Sequence, residues 1–168
     1  ANGEESKIKE VLPIVARYKA AVVCLTMDDK GIPSDVPTRM KIGDTIVNEA
    51  TKLGIPLEDI IIDPLAMSVS ADDRAGLSAL KALAEIKKNL GVNQTIGASN
   101  VSFGLPDRAF VNGVFLAMAI MKGLTCPITD PTNWTIRETL LLTDLMLGKD
   151  EFSMNFISGY RDQHPEED

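Results

Sequence analysis

Two polar side chains follow short apolar runs at positions where they could contact a ligand. Asp63 comes directly after an Ile-Ile-Ile run and directly before a proline, and Asn100 follows the apolar run that ends near Ala98. A carboxylate can accept two hydrogen bonds from a ligand with adjacent N–H groups, and an amide can donate or accept while staying neutral. Each has a structural alternative, because Asp and Asn also stabilise turns and helix starts. We treat both as candidate ligand-binding residues.

Three more polar residues lie in the loop around Asn100. Ser99 and Ser102 flank the amide, and Arg108 begins the next predicted helix. A cation at a helix N-terminus is disfavoured by the helix dipole, which favours a functional or ion-pairing role for this arginine. Ser102 has the simpler alternative of satisfying backbone groups of the loop. We expect Ser99, Ser102 and Arg108 to line the same site as Asn100.

The rest of the sequence offers little other catalytic chemistry. The single histidine, His164, lies near the acidic C-terminus, and the two cysteines, Cys24 and Cys126, are far apart. We therefore predict no Ser–His or Cys–His pair and no metal ligands. The cysteines are expected to be reduced and packed as small apolar side chains, as is typical of a cytoplasmic protein.

Composition and charge argue against several classes of partner. The chain has 168 residues, of which 45% are hydrophobic, and a formal net charge of −7. An acidic surface repels phosphate backbones, so we expect neither nucleic acid nor an anionic membrane as a partner. The apolar run over 113–121 is too short to cross a bilayer, and no secretory signal is recognisable at the start of the chain.

Helix and strand patterns alternate along the chain. Apolar residues at helical spacing predict a first helix over 4–19, and no strand-like segment is predicted before it. Apolar, β-branched runs then predict strands within 20–27, 59–64, 93–99 and 124–130. Each is followed by a predicted helix, over 38–53, 74–90, 107–122 and 134–147, and a short helix is predicted near 152–158. Alternation of this kind is typical of a parallel sheet.

The loops after these strands favour a barrel over other parallel folds. They contain neither of the glycine-rich phosphate-binding motifs, which weakens the Rossmann and P-loop alternatives. A (β/α)8 barrel carries its site on the loops after the strands, and it has eight strands in about 250 residues. We therefore predict an α/β chain of the TIM-barrel family that supplies half a barrel over 1–159, followed by a frayed acidic tail over 160–168.

Three motifs resemble one family of pterin-binding methyltransferases. Its members are the methyltetrahydrofolate:corrinoid/iron–sulfur protein methyltransferases and the folate-binding domain of cobalamin-dependent methionine synthase. The motifs are CLTMDDKGIPSD from Cys24, IIIDPL from Ile60 and GASNVSFGLPDRAFVNGVFLAMAIMKGL from Gly97. The resemblance covers nearly the whole chain. It implies a (β/α)8 barrel of which this chain is the C-terminal half, containing the last four strand–helix units.

The same resemblance implies residue roles. Asp63 falls on the carboxylate that holds the pyrimidine edge of the pterin, and Asn100 on the amide that hydrogen-bonds the nitrogen losing its methyl group. Ser99 lies on the same wall, and Arg108 matches an arginine found near that loop in some members. Two further family residues, an Asp after the third strand and an Asn after the fourth, have no predicted counterpart, since Asn2 lies a few residues beyond the second position.

The implied function is methyl transfer between methyltetrahydrofolate and the corrinoid cobalt of a partner protein. A methyl group on an uncharged tertiary amine is a poor electrophile. A hydrogen bond that strengthens as electron density returns to the nitrogen lowers this barrier, and a neutral amide such as Asn100 can donate it. The corrinoid (cobalamin) supplies the attacking centre, so no protein nucleophile is needed.

Two alternatives remain open from the residues. A dihydropteroate synthase-like reaction on the same fold handles a pyrophosphate leaving group and would need several cations at the mouth, where the sequence offers Arg108 and Lys30. A non-catalytic half-barrel is the other alternative, and its open strand edges would have to be covered. Pairing of two chains would cover them, and we expect a homo-oligomer. The other half of the barrel would also cover them, and the sequence favours this second arrangement because the Asp and Asn of that half have no duplicate here.

Overall fold

A parallel sheet organises the computed structural model, which describes residues 1–164. Its strands are β1 (Val22–Leu25), β2 (Ile60–Asp63), β3 (Asn93–Gly97) and β4 (Cys126–Ile128), and they pair in chain order. The α-helices of this part of the chain are α1 (Glu5–Tyr18), α2 (Val36–Lys52), α3 (Ala75–Asn89), α4 (Arg108–Met121), α5 (Trp134–Met146) and α6 (Met154–Gln163). The predicted alternation of strands and helices is confirmed.

The order of the strands distinguishes the fold from an open, doubly wound sheet. Each strand pairs in parallel with the next along the chain, without a reversal in the order. A doubly wound sheet reverses its order at a switch point, whereas a (β/α) barrel does not. The arrangement is that of a partial (β/α) barrel, and within residues 1–164 the sheet has four strands.

Only one face of the sheet is packed beneath the helices. Val22 and Cys24 pair with Ile60 and Ile62, and these buried side chains form a core with residues of α1 and α2 such as Leu12. A second core joins β3 to α3 and α4 and includes Ile96, Leu83 and Leu116.

The alternate residues of the strands lie on the opposite, open face. Val23 on β1 is 42% exposed and Ile128 on β4 is 58% exposed. Because side chains alternate between the two faces of a strand, this open face corresponds to the interior of a closed barrel. It also explains why the prediction for Cys126 is wrong. Cys126 lies on the open face and is exposed, whereas Cys24 is buried on the helical face.

Local signals at the helix ends turn the chain back to the sheet. The carboxylate of Asp35 accepts a hydrogen bond from the backbone N–H of Thr38 and caps α2. Glycines with positive φ follow the ends of α2, α3 and α4, a conformation that costs other residues more. After each of these helices the chain re-enters the sheet at the edge where the strands begin. All four strands therefore end together at the opposite, carboxyl-terminal edge.

The segment before α1 differs from the prediction. Residues 1–3 run beside β1 in parallel: the N–H of Leu25 donates to the carbonyl of Ala1 at 2.9 Å, and the N–H of Gly3 donates to that of Met27 at 2.7 Å. Asn2 forms a parallel bridge with Leu25. The expectation that nothing strand-like precedes the first helix is therefore wrong. Three residues are too few to show the repeating pattern on which the prediction of strands depends.

The C-terminal region also differs in part from its prediction. Helix α6 extends to Gln163, so residues 160–163 of the predicted tail are helical. The ring of Tyr160 stacks on that of His164, with 4.2 Å between their centroids. The prediction of a frayed tail also covers 165–168, which lie outside the described residues. None of the helices described combines the length and apolar composition needed to cross a membrane.

Candidate functional site

The carboxyl-terminal edge of the sheet brings several strand ends into register. Asn2 pairs with Leu25, and Leu25 pairs with Asp63 on β2. Thr26, which is fully buried, donates from both its backbone N–H and its hydroxyl to the carbonyl of Asp63, at 3.0 and 3.3 Å. These bonds fix the end of β2 against that of β1. The functional side chains at this edge are therefore carried on a defined backbone.

Asp63 is buried, and only part of its hydrogen-bonding capacity is used. Its side chain is 7% exposed, and Oδ1 accepts the backbone N–H of Leu65 at 2.8 Å. The other carboxylate oxygen has no hydrogen bond with the described residues. Burial raises the pKa of Asp63, and the Leu65 N–H partly opposes this rise. The carboxylate thus stabilises the turn through one oxygen and leaves the other for a ligand.

A buried arginine that sequence reasoning missed holds the turn after Asp63. Arg39 on α2 is 4% exposed, and its Nη1 donates to the carbonyls of Pro64 and Leu65 at 3.0 and 3.1 Å. Its Nε donates to the carbonyl of Pro33, in the loop after β1, at 2.8 Å. Burial lowers the pKa of the guanidinium, and Asp35 partly offsets this effect.

The position of Arg39 in α2 carried a signal. With Ile42, Ile46 and Ala50 it follows the spacing of one helix face, and all four residues are buried. An arginine on the apolar face of a helix needs partners for its donors, and here these partners are loop carbonyls. The helical period was therefore a signal from which Arg39 could have been identified as an interior residue.

Asn100 presents its amide at the end of the next strand. It closes a short 3₁₀ turn, Ala98–Asn100, that follows β3 directly, and its side chain is exposed. The amide makes no hydrogen bond within residues 1–164, so the described structure does not contain the turn-stabilising bond that was its structural alternative. The amide lies against Gly97, where an added Cβ would stand 3.2 Å from Nδ2 of Asn100. Its hydrogen-bonding groups are available to a ligand.

Ser99, Ser102 and Arg108 come together beside Asn100. Arg108 donates from Nη2 to the carbonyl of Ser99 at 2.8 Å and from Nε to the hydroxyl of Ser102 at 3.1 Å. Its guanidinium also lies over the ring of Phe103, 5.9 Å from the centroid. Ser102 is fully buried, and its hydroxyl donates to the carbonyl of Ser99 at 3.4 Å. In this arrangement Arg108 and Ser102 hold the loop that carries Asn100.

The loops after β2 and β3 are joined to each other. The hydroxyls of Ser68 and Ser70 both donate to the carbonyl of Phe103, at 2.6 and 2.7 Å. The N–H of Val69 donates to the carbonyl of Val101 at 3.0 Å. The loop that follows Asp63 is therefore tied directly to the loop that contains Asn100, and the two candidate side chains belong to one connected edge.

Other parts of the described structure are less suited to chemistry. No group of three or more His, Cys, Asp and Glu side chains in residues 1–164 is arranged to hold a metal ion. A groove of about 830 Å³ runs between α2 and α3 on the helical side of the sheet and includes Met40 and Leu90 in its lining. It does not include the side chains at the strand ends.

The chain is similar to known proteins along most of its length. Residues 1–130 match the family of pterin binding enzymes. The chain is 29% identical over 165 residues to a methylcorrinoid:tetrahydrofolate methyltransferase of Eubacterium limosum, covering 95% of this chain and 60% of that protein. It is 33% identical over 135 residues to the methionine synthase of Mycobacterium tuberculosis, covering 76% of this chain and 11% of that protein.

These relatives are longer than the chain. It spans 60% of the length of the Eubacterium limosum protein and 11% of the length of the mycobacterial methionine synthase. The family match, however, extends over most of the chain and includes the ends of β1, β2 and β3, with both Asp63 and Asn100. This chain belongs to the pterin binding enzyme family.

Proposed function

We propose that this chain forms part of a methyltransferase that binds methyltetrahydrofolate at the carboxyl-terminal edge of the sheet. The methyl group would pass between the pterin and the corrinoid cobalt of a partner protein, in the cytoplasm. The observation that carries the proposal is the pair of unused polar groups on neighbouring strands, one oxygen of Asp63 and the amide of Asn100. Two relatives are named as a methylcorrinoid:tetrahydrofolate methyltransferase and a methionine synthase.

Asp63 would hold the pyrimidine edge of the pterin. That edge presents adjacent N–H groups, and a carboxylate accepts such a pair more strongly than a neutral group does. The site is shielded from water, which strengthens these bonds but also favours the neutral acid before the ligand binds. The second donor of the ligand would share Oδ1 with the N–H of Leu65.

Asn100 would act on the nitrogen that carries the methyl group. As the C–N bond breaks, its electron pair returns to nitrogen, which takes up a proton from water as tetrahydrofolate forms, and a hydrogen bond from the amide becomes stronger. The amide does not titrate, so this assistance would be constant over the working pH range. The same contact would serve transfer in either direction, because the forward and reverse reactions share one transition state.

The edge of the sheet leaves space for a partner to approach. Ser99, Asn100 and Phe103 are exposed at this edge, and Phe103 is 69% exposed. This fits a cofactor carried by another protein rather than one enclosed by this chain. When bound, the reduced corrinoid would supply the electron pair that accepts the methyl group. The residues of this chain would bind, orient and shield the pterin.

The dihydropteroate synthase-like alternative has less support. It would need cations free to bind pyrophosphate at the strand ends. Lys30 is exposed in the loop after β1, whereas Arg108 and Arg39 both donate to backbone carbonyls of the loops. The donors of these two arginines are therefore largely occupied by the protein itself.

Asn100→Ala tests the proposed function in the full-length protein. We expect methyl transfer to fall about 100-fold or more, since the loss of one donor to a developing charge typically costs that much. Binding of methyltetrahydrofolate, measured by calorimetry, should weaken much less. The rate is measured with the corrinoid protein as acceptor, and the unfolding midpoint is measured in parallel.

Asn48→Ala is the matched control for this substitution. Asn48 is also an exposed asparagine, but it lies on α2 and donates to Asp44. Its loss should leave the rate of methyl transfer unchanged. Equal rates in wild type and Asn100→Ala would remove the catalytic role of the amide. Absence of methyltetrahydrofolate binding by the folded wild-type protein would reject the proposed function as a whole.

A further inference from the structure

We infer that Arg39 is a positioning residue that holds the Asp63 carboxylate in the geometry needed to bind the pterin. This inference rests on the proposed function, since it assigns Asp63 to the ligand. Within residues 1–164, Arg39 makes neither a hydrogen bond nor a salt bridge with the carboxylate. The three hydrogen bonds of its guanidinium described there go to the backbone carbonyls of Pro33, Pro64 and Leu65.

The turn after Asp63 has a conformation that requires support. Leu65 has a φ of 64°, in the left-handed region that non-glycine residues rarely adopt. Such a conformation persists only when the surroundings determine it. Two bonds do so here: the N–H of Leu65 donates to Oδ1 of Asp63, and its carbonyl accepts from Nη1 of Arg39. Nη1 of Arg39 also donates to the carbonyl of Pro64, which belongs to the same peptide unit as the N–H of Leu65. Arg39 therefore fixes the peptide whose N–H orients the carboxylate.

The guanidinium also connects two loops. Its Nε bonds the loop after β1 through Pro33, while Nη1 bonds the turn after β2 through Pro64 and Leu65. A planar fork with several donors can make these bonds at once, whereas an ammonium group is a single point donor. The geometry of the group, rather than its charge, is what the two loops require.

Because Arg39 and Pro64 are buried, loss of the hydrogen bond between them would leave a backbone carbonyl without a donor. Arg39 is 4% exposed, and the carbonyl of Pro64 that it binds belongs to a fully buried residue. A carbonyl left without a donor in this position cannot readily pair with water. The turn would relax to satisfy it, and the N–H of Leu65 would move with the turn. Asp63 would then lose the bond that sets the direction of its free oxygen.

Arg39→Lys in the full-length protein tests this inference. Lysine keeps the positive charge but not the fork, so we expect the Kd for methyltetrahydrofolate to rise about 10-fold. Arg39→Gln, which keeps a planar donor without the charge, is the second variant if the lysine variant does not fold. Each is titrated by calorimetry well below its own unfolding midpoint. Arg17→Lys on α1, an exposed position, is the matched control and should bind as wild type does.

A double-mutant cycle separates positioning from general stabilisation. If Arg39 acts through Asp63, Arg39→Lys should have little further effect in an Asp63→Asn background, where residual binding is followed by ligand-observed NMR. An unchanged Kd in Arg39→Lys, or an equal loss in both backgrounds, would overturn the inference. Failure of the wild-type protein to bind methyltetrahydrofolate would overturn the proposed function and this inference with it.

Discussion

Asp63 combines two requirements that oppose each other. A ligand with N–H groups needs an ionised carboxylate, but a side chain that is 7% exposed is costly to ionise. The single N–H of Leu65 compensates only in part, and the pKa of Asp63 remains raised. In the absence of ligand, the charged residue therefore lowers the stability of the fold that carries it. Both the stability of the fold and the affinity of Asp63 for a ligand should therefore depend on pH.

We predict that Asp63→Asn stabilises the protein at neutral pH while it weakens pterin binding. Because the pKa of the folded state is raised, Asp63 contributes stability below its ordinary value of 3.8, and this contribution is lost as the pH rises through the raised pKa. Asparagine does not titrate, and its oxygen can still accept the N–H of Leu65. The difference in unfolding midpoint, variant minus wild type, should therefore increase as the pH rises from 3.8 to the raised pKa of Asp63.

The same substitution should raise the Kd for methyltetrahydrofolate about 100-fold, because charge-assisted hydrogen bonds are worth about 1.5–3 kcal/mol each. Wild-type affinity should also decline as the pH falls through the raised pKa. Calorimetry at several pH values measures both effects. A variant that binds as tightly as wild type would show that Asp63 is a turn residue only.

Some residues of the candidate site were visible in the sequence and others were not. Asp63 and Asn100 could be identified because each interrupts an apolar run where a strand must end. Arg39 was missed because charged residues near a helix start are ordinarily solvated. Asn2 was set aside because it lies a few residues beyond the matching family position, and its pairing with a distant segment has no local signature. The structure pairs Asn2 with Leu25. The side-chain N–H of Asn2 donates to the carboxylate of Glu4, and its side-chain oxygen accepts from the backbone N–H of Glu4.

At the scale of elements, the strands are shorter than predicted for identifiable reasons. The predicted run over 20–27 begins with Ala20 and Ala21, which have little strand preference, and the observed strand begins at Val22. The run over 93–99 ends at Gly97, where the backbone enters the 3₁₀ turn that carries Asn100. Apolar composition predicted where the strands are, but not where backbone pairing stops.

Gly97 is the point at which β3 controls the position of Asn100. We predict that Gly97→Ala lowers methyl transfer about 10-fold, because an added Cβ would stand 3.2 Å from the amide and displace it by a few tenths of an ångström. The φ of Gly97 is −75°, which alanine readily adopts, so stability should change little. Single-turnover kinetics in the full-length protein measure the rate.

Gly43→Ala provides the matched control for this change. An added Cβ there would stand equally close, 3.2 Å, to a methyl group of Leu90 rather than to Asn100. It should leave the rate of transfer unaffected. A loss of rate shared by both variants would point to general strain, and no loss in either would show that the position of the amide is not critical.

At the scale of the whole molecule, the uncovered face of the sheet sets the solution behaviour of the 168-residue chain. Apolar side chains on this face and open strand edges both favour association. We predict reversible association of the chain, with Val23→Lys raising the dissociation constant about 10-fold by bringing a charge into the contact. Sedimentation equilibrium measures the constant.

Val114→Lys distinguishes the sheet face from the helical surface. Val114 lies on α4 and is 48% exposed, close to the 42% of Val23. It should not change the association. A larger effect at Val114 than at Val23 would assign the contact to the helices, and a monomer at all concentrations would contradict the homo-oligomer that we expect.

The order of the strands also has a practical consequence for reconstitution. Because successive strands are spatial neighbours, a contiguous stretch of this sequence is also a contiguous block of the architecture. A cut between two strand–helix units would break one covalent connection. It would leave two pieces of adjacent strands, and no strand of one piece would lie between strands of the other. Separately produced fragments would have to recover main-chain pairing along the strand edges and the packing between neighbouring helices, such as α2 and α3. The protein is therefore suited to a split reporter, in which recovery of the proposed pterin binding would record the reunion of its pieces.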